Sequence, residues 1–138
     1  ENLEYWEEPM QEDELRVGFG VRNVVRDIYD EHSTGYGNDV TARLLKFALR
    51  VSGFSFVASP PCPALYHGEK IHEAPVDCLV IEGRFLLVFT SLFDSNDFNI
   101  RRGLSFMKSL NLSCGLAINF GKQAIQLDGL RNSQSISS

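Results

Sequence analysis

Three basic side chains on one predicted helix are the first candidates for chemistry in this sequence. Arg43, Lys46 and Arg50 are spaced i, i+3 and i+7, so a helix places them on one face. A basic stripe of this kind can follow the phosphates of a nucleic acid, because backbone charge dominates non-specific affinity. The same spacing is also typical of a solvated helix face. Phosphate contacts are therefore one of two interpretations of this stripe.

The histidines and cysteines do not form a metal-binding pattern. His67 and His72 flank a Gly-Glu-Lys turn without a Cys or carboxylate at ligand spacing, so we interpret them as solvated loop residues. Cys62, Cys78 and Cys114 are odd in number and widely spaced, which argues against a disulfide framework and against a structural zinc site. We expect three buried thiols and no bound metal.

The first 14 residues form an acidic arm. They hold seven of the 18 acids and none of the 13 Lys and Arg residues, which leaves 11 acids against 13 bases, a formal charge of about +2, in the rest of the chain. The arm also carries Tyr5, Trp6 and Met10, which a short acidic segment cannot bury by itself. We expect it to be extended and to dock through these side chains, on a partner protein or on its own domain.

Length and composition indicate one globular domain. The chain has 138 residues, of which 43% are hydrophobic and 22% charged. No apolar run approaches the ~18 residues of a membrane span, and the acidic first residues are unlike a signal peptide. We expect a soluble, cytoplasmic or otherwise intracellular protein with an arm at 1–14, a domain at 15–131 and a disordered Ser-rich tail at 132–138.

Apolar periodicity predicts three helices. The first ends near His32 and begins either at about Asp13 or only after Gly18 and Gly20, because glycine disfavours a helix interior. The second starts at a cap, Asn38 or Asp39, and runs to about residue 51, and the third covers residues 97–110. The predicted buried residues are Val21, Val24, Val25 and Ile28 in the first helix, Val40, Leu44, Phe47, Ala48 and Val51 in the second, and Ile100, Leu104, Met107 and Leu110 in the third.

Short runs rich in Val, Ile, Leu and Phe predict strands. The runs cover residues 54–58, 64–67, 76–82, 84–92, 116–120 and 124–127. The turn Glu82-Gly83-Arg84 between two of them predicts a tight hairpin. The run 84–92 is nearly all apolar, as expected of a central strand covered on both faces. The order of helices and strands predicts an α/β fold.

Three phrases of the chain carry a family resemblance: Ala-Leu-Tyr-His-Gly at 64–68, Val-Asp-Cys-Leu-Val at 76–80 and Gly-Leu-Ala-Ile-Asn-Phe-Gly at 115–121. In order and spacing they resemble the Tyr-x-Gly, Asp-Leu-Leu-Val and Gly-Leu-Leu-x-Asn-Phe-Gly phrases of the GxxExxY proteins, a bacterial branch of the PD-(D/E)XK nuclease superfamily. The resemblance covers about residues 15–131. It implies a PD-(D/E)XK nuclease-like (restriction-endonuclease-like) fold, a mixed β-sheet flanked by helices.

The resemblance also implies a place for a metal site. In the superfamily, acids hold a divalent cation that polarises the phosphate and activates water. The metal-binding Asp matches Asp77, and a Glu of the second helix falls near Asp39. A Glu and a Lys that alternate on the next strand have no counterpart here, because residues 85–93 contain no charged side chain. The degenerate catalytic-strand positions are Val88, Phe89, Thr90 and Ser91.

A third family position has also changed. The Gln that faces the site from the third helix of the family falls near Arg102. This arginine either pairs with an acid such as Asp77, in place of the metal, or is a surface residue. Asp39 and Asp77 without a central Glu are a poor site for Mg²⁺, which favours octahedral coordination by oxygen. We expect no cofactor, and leave open only weak binding of Mg²⁺ or Mn²⁺.

The resemblance and the missing charged pair together predict a catalytically inactive nuclease-like domain. We expect it to act as a protein-interaction or scaffolding subunit, in a homo-oligomer or a larger assembly. One alternative is a non-cleaving nucleic-acid-binding module that uses the basic stripe. Another is a metal-dependent nuclease with migrated active-site residues. Its candidate residues are Asp39, Glu69, Asp77, Asp94 and Lys108.

Overall fold

A computed structural model describes residues 12–32, 38–90, 97–120 and 125–131 of the chain. These residues contain three helices and seven strands. In chain order the elements are α1 (Glu12–His32), α2 (Asn38–Val51), β1 (Phe56–Ala58), β2 (Pro61–Tyr66), β3 (Glu69–Pro75), β4 (Leu79–Ile81), β5 (Phe85–Thr90), α3 (Asp97–Leu110), β6 (Cys114–Asn119) and β7 (Gln126–Arg131).

Five strands form one mixed sheet in the order β1-β4-β5-β6-β7. Neighbouring strands are antiparallel except for β5 and β6, which run parallel. Two parallel neighbours need a long crossover connection, and α3 lies in that connection. The predicted α/β fold, a mixed sheet flanked by helices, is confirmed.

Strand β5 is the centre of the core. Phe85, Leu87 and Phe89 pack on the side of α1 and α2, whereas Leu86 and Val88 pack on the side of α3. None of these five side chains is more than 8% exposed. Each buried apolar side chain of this size contributes about 1.5–3 kcal/mol to stability. The prediction of a central strand covered on both faces is therefore confirmed.

The turn between β4 and β5 is the predicted tight hairpin. Glu82 and Gly83 both adopt positive φ, at 54° and 68°. Two consecutive residues of this kind match the right-handed twist of the flanking strands, and Gly adopts such angles without a steric penalty. The turn sets the register in which Ile81 pairs with Phe85.

Helix α1 begins at the earlier of the two starts that the sequence suggested. It runs from Glu12 through both Gly18 and Gly20, so the alternative start after these glycines is wrong. A Cβ atom on Gly20 would lie 2.5 Å from Cζ of Phe54. The glycine lets this ring rest on the helix, and that packing offsets its low helix propensity. The predicted buried residues Val21, Val24, Val25 and Ile28 are confirmed.

Helix α2 has its predicted bounds, but it buries a different face. Val40, Phe47 and Val51, which the periodicity placed in the core, are exposed. The apolar residues of α2 cover two adjacent faces, and both have helical spacing. Periodicity identifies the apolar residues but does not select the face that meets α1 and the sheet. The residues buried instead are Thr41, Leu45 and Leu49.

Helix α3 has the predicted bounds, and its contact face agrees only in part with the prediction: Met107 is buried as predicted, and Ile100 and Leu110 are half-buried against the core. Asn99, Gly103 and Met107 are buried, whereas Leu104 is exposed. A Cβ atom on Gly103 would lie 2.6 Å from Cδ1 of Leu130. The helix backbone therefore approaches the sheet closely at this position. An apolar pattern misses a face built around Asn and Gly.

Strands β2 and β3 form a separate two-stranded hairpin. β2 packs against α3, outside the five-stranded sheet. β3 has six exposed residues out of seven and a polar sequence, which is why the sequence did not predict it. His72 consequently lies on a strand, whereas His67 lies in the turn as expected.

Part of the predicted organisation falls outside the described residues. Tyr5, Trp6 and Met10 of the arm, and the tail at 132–138, are among them, so their roles stay predictions. Residues 12–14, expected to belong to the arm, are the first turn of α1. None of the three described helices has the length and apolar character that a bilayer crossing requires.

Candidate functional site

Helix α3 meets the carboxyl ends of the parallel strands β5 and β6 through two linked side chains. Asn99 Nδ2 donates a hydrogen bond of 3.0 Å to the carbonyl of Ile118 on β6. Arg102 Nη2 donates one of 3.0 Å to the carbonyl of Phe89 on β5. Arg102 Nε also donates to Asn99 Oδ1, at 3.0 Å. The two side chains, one helical turn apart, therefore tie α3 to both strands.

Asp77 lies beside this pair. It precedes β4, and its Oδ2 is 3.9 Å from Nη1 of Arg102. The Arg102 side chain is 19% exposed and that of Asp77 is 78% exposed. The guanidinium also lies 5.3 Å from the centre of the Phe98 ring. Arg102 is consequently fixed by several contacts, whereas Asp77 is held at the solvent edge of the site.

The catalytic-strand positions named by the family resemblance lie on β5 and just after it. Val88 and Phe89 are buried on opposite faces of the sheet. Thr90 pairs with Asn119 in the ladder, and its side chain, like the whole of Ser91, is outside the described residues. In the hydrogen bonds described above, Phe89 takes part only through its backbone carbonyl, which accepts from Arg102. The described side chains of β5 bring no acid or amine to Asp77.

The side chains that the structure describes around Asp77 do not assemble the ligands of a divalent cation. Mg²⁺ and Mn²⁺ favour several oxygen ligands, commonly with more than one carboxylate. Among the described residues, no three His, Cys, Asp or Glu side chains converge on one point. The one carboxylate of this site instead faces a guanidinium. Asp39 lies at the start of α2, but its side chain is not described. Weak binding of a cation by Asp39 and Asp77 together therefore stays a prediction.

The thiol next to Asp77 is inert. Cys78 is 2% exposed. Burial, with smaller contributions from the nearby Cys62 and Asp77, raises the pKa of its thiol to about 12, although Arg102 acts to lower it. A thiol with this pKa stays protonated near neutral pH and is a poor nucleophile. All three cysteines are buried and free, as predicted.

A cleft of about 790 Å³ opens between the β2–β3 hairpin and α3. Its apolar wall includes Leu65 and Phe106, and its polar groups include His67, His72 and Lys108. Asp77 does not line it. The sequence did not reveal this cleft, because β3 itself was not predicted. Lys108, a candidate for a migrated catalytic lysine, therefore faces the hairpin, and Glu69 is exposed on β3.

The basic stripe lies on α2, as its spacing predicted. Arg43 and Arg50 are exposed and Lys46 is half-buried. The guanidinium of Arg50 lies 5.1 Å from the centre of the Phe56 ring on β1, the edge strand of the sheet. This contact anchors one end of the stripe. Phosphate binding by the three residues stays a prediction.

Comparison with known proteins identifies one similar family. The family model described as the PD-(D/E)XK nuclease superfamily matches residues 16–131. These residues run from α1 to the end of β7, so they include Asp77, Arg102 and the whole of the described sheet. No curated protein and no solved structure matches the chain.

Proposed function

Because this chain belongs to the PD-(D/E)XK nuclease superfamily, we propose that it is a catalytically inactive member that acts as a protein-interaction or scaffolding subunit. The observation that carries this proposal is the ion pair between Arg102 and Asp77. The aspartate that matches the metal ligand of the family faces a cation that belongs to the protein.

The position of Arg102 opposes a metal at Asp77. A divalent cation bound to the carboxylate would lie within a few ångströms of the guanidinium and would be repelled by it. Arg102 is tied to Phe89 and Asn99 by hydrogen bonds, so moving away would break both. We infer that the arginine neutralises Asp77 in place of the metal.

The environment of β5 supports the same proposal. Val88 and Phe89, the two catalytic-strand positions whose side chains are described, point into the core on opposite faces of the sheet and are at most 8% exposed. A carboxylate or an ammonium there would be buried in apolar surroundings, which is costly without a partner. The apolar strand is therefore integral to the core. We place the chain in a degenerate part of the GxxExxY branch, on the three phrases that resemble it.

A cleavage assay tests the inactivity. The purified chain is incubated with plasmid and single-stranded oligonucleotides in Mg²⁺ or Mn²⁺, beside Asp77→Ala as the matched control. We expect no cleavage above that of Asp77→Ala and no heat of Mg²⁺ or Mn²⁺ binding by calorimetry. Cleavage that disappears in Asp77→Ala would establish the active-nuclease alternative. Its loss in Lys108→Ala as well would identify a migrated lysine.

The β2–β3 hairpin supports the interaction role. Leu65, Tyr66 and Ile71 are more than half exposed on this small structural unit. Apolar residues grouped on a projecting hairpin are typical of protein contacts. We propose that the hairpin contacts a protein partner or a second copy of the chain.

Purification from the native source tests the partner. The tagged chain is compared with the double variant Tyr66→Ser/Ile71→Ser, and Val57→Ser, which is exposed on β1, serves as the matched control. We expect a stoichiometric protein partner, or a second copy, that survives nuclease treatment and is lost only in the hairpin variant. Retention by the hairpin variant would contradict this surface.

A second candidate function is non-cleaving nucleic-acid binding. The exposed guanidiniums of Arg43 and Arg50 favour it. Fluorescence anisotropy of labelled DNA and RNA, measured at several salt concentrations, tests it. Binding that weakens steeply with salt and is lost in Arg43→Glu would support this function. Absence of binding at low salt would exclude it.

A further inference from the structure

Helix α2 presents an apolar surface that the domain itself leaves uncovered. Val40, Phe47 and Val51 are 42%, 67% and 71% exposed. At ~100° per residue these three side chains fall within about 40° of one another on the helix. We name this surface the α2 stripe. It extends from Val40 to Val51, about three turns of helix, and exposed apolar side chains grouped in this way are typical of a docking surface.

The α2 stripe has a charged border on its outer side. Arg43 and Arg50 lie about 70° from its centre around the helix, away from the buried face. The buried face lies about 140° away in the opposite direction. An occupant of the stripe thus meets apolar side chains in the middle and guanidiniums along one edge. An acidic segment with apolar side chains fits this surface.

The chain contains one segment with that chemistry. Residues 1–11 hold four acids and no base, together with the apolar side chains of Leu3, Tyr5, Trp6 and Met10. We propose that these residues dock on the α2 stripe of their own domain, with Trp6 covering Phe47 and Val51 and the acids facing Arg43 and Arg50. This assignment holds whether or not the domain is catalytically inactive.

The length of the segment permits this contact within one chain. α1 packs against α2, and the Phe54 ring just after α2 rests on Gly20 of α1. Glu12 is eight residues before Gly20, about 12 Å along the helix. Trp6 is six residues before Glu12 and can reach about 20 Å from it when extended. Val51 lies three residues before Phe54, so we infer that the end of α2 is within that range.

Docking would also cover the basic stripe. The acids of residues 1–11 would then occupy the guanidiniums that a nucleic-acid backbone would otherwise use.

Trp6 fluorescence tests the proposal directly, because Trp6 is the only tryptophan of the chain. In the full-length protein we expect emission at shorter wavelength, and weaker acrylamide quenching, than in a free peptide of residues 1–14. Phe47→Ser and Arg43→Glu should each shift both values to those of the peptide. Added salt should move the wild type in the same direction.

Matched variants and dilution make the test decisive. Ile71 lies on the hairpin and is about as exposed as Phe47, at 65% against 67%. Ile71→Ser should therefore leave the Trp6 signal unchanged. Far-ultraviolet circular dichroism confirms that each variant is folded. Wild-type emission equal to that of the peptide would overturn the proposal. So would a shift caused by Leu65→Ser, which would place Trp6 in the hairpin cleft, or a signal lost on dilution to the monomer, which would place it on a second copy.

Discussion

Arg102 and Asp77 form one ion pair, but they differ in what else they contact. Arg102 donates to the Phe89 carbonyl and to Asn99, whereas Asp77 is largely in solvent. An exposed ion pair contributes about 0–1 kcal/mol, while a hydrogen bond from a charged donor contributes about 1.5–3 kcal/mol. Most of the stabilisation at this site therefore comes from the contacts of Arg102.

Substitution of the two residues should separate these contributions. We expect Arg102→Leu to lower the free energy of unfolding by about 2–4 kcal/mol, because the Phe89 carbonyl loses its charged donor. Asp77→Asn should lower it by less than about 1 kcal/mol. Urea unfolding measures both values. Equal losses would show that the ion pair, and not the contact with β5, holds Arg102.

The buried thiols predict a loss of stability in alkali. Burial raises the pKa of Cys78 from 9.0 to about 12, and burial with a hydrogen bond to Glu14 raises that of Cys114 to the same value. The unfolded chain therefore loses these protons first as the pH rises. The stability contributed by the protonated thiols is complete below pH 9 and declines toward pH 12.

Denaturant titrations across this pH range measure the effect. We expect the wild type to lose stability more steeply above pH 9 than Cys78→Ala or Cys114→Ala does. The variants are compared by their slopes against pH, because each also leaves a small cavity that lowers stability at every pH. If the wild type and the variants showed the same slope of stability against pH, the pKa of each thiol would be the same in the folded and the unfolded chain.

At the scale of the elements, some features followed from the sequence and others did not. The run of apolar residues in β5 and the helical spacing of apolar residues in α3 identified these elements, since both are strong local signals. β3 was missed because its exposed side chains follow no apolar pattern. The buried face of α2 was misassigned because two of its faces are apolar. Local pattern predicts an element, whereas its neighbours decide which side it buries.

The residues of the candidate site were likewise predicted from the sequence only in part. Asp77 and Arg102 were named through a family resemblance, and the structure brings them within 3.9 Å. The part played by Asn99 was not foreseen, although its signal is present in the chain. A polar residue three positions before Arg102 lies on the face of α3 that packs against the sheet. A buried side-chain amide needs partners, and here these are a strand carbonyl and the guanidinium.

Gly103 should not tolerate a side chain where α3 crosses the sheet. In an exposed helix Gly→Ala stabilises by about 1 kcal/mol. At Gly103 the new Cβ would lie 2.6 Å from Leu130 Cδ1 and 3.2 Å from Val88 Cγ2, both in the core. We expect Gly103→Ala to destabilise the fold by about 1–3 kcal/mol. Thermal and urea unfolding check this, and Leu130→Val in the same chain should restore part of the loss.

At the scale of the whole molecule, the described residues divide into a well-buried sheet and a projecting hairpin. All six residues of β6 are buried, whereas β3 is almost entirely exposed. The hairpin joins the rest mainly through the contact of β2 with α3. Few buried apolar contacts imply a low free energy of local opening.

Hydrogen exchange should reveal this difference. We expect the amides of β5 and β6 to exchange only on global unfolding, and those of β3 to exchange through local opening at a lower free energy. Native-state exchange read by mass spectrometry or NMR measures both. If β3 and β6 exchanged at the same free energy, the hairpin would be part of one cooperative unit with the sheet.

Because β5 is buried on both faces, mutations that would give it catalytic side chains would also disturb the core. Regaining a Glu and a Lys at alternate catalytic-strand positions, 88 and 90 or 89 and 91, would put a charge in place of Val88 or Phe89, which now fill the core. Either change alone would bury a charge without a partner, at a cost of several kcal/mol. That cost is comparable with the roughly 5–15 kcal/mol that holds a typical domain together. Under the proposed function, single mutations could not restore activity until the core around that strand had been rebuilt.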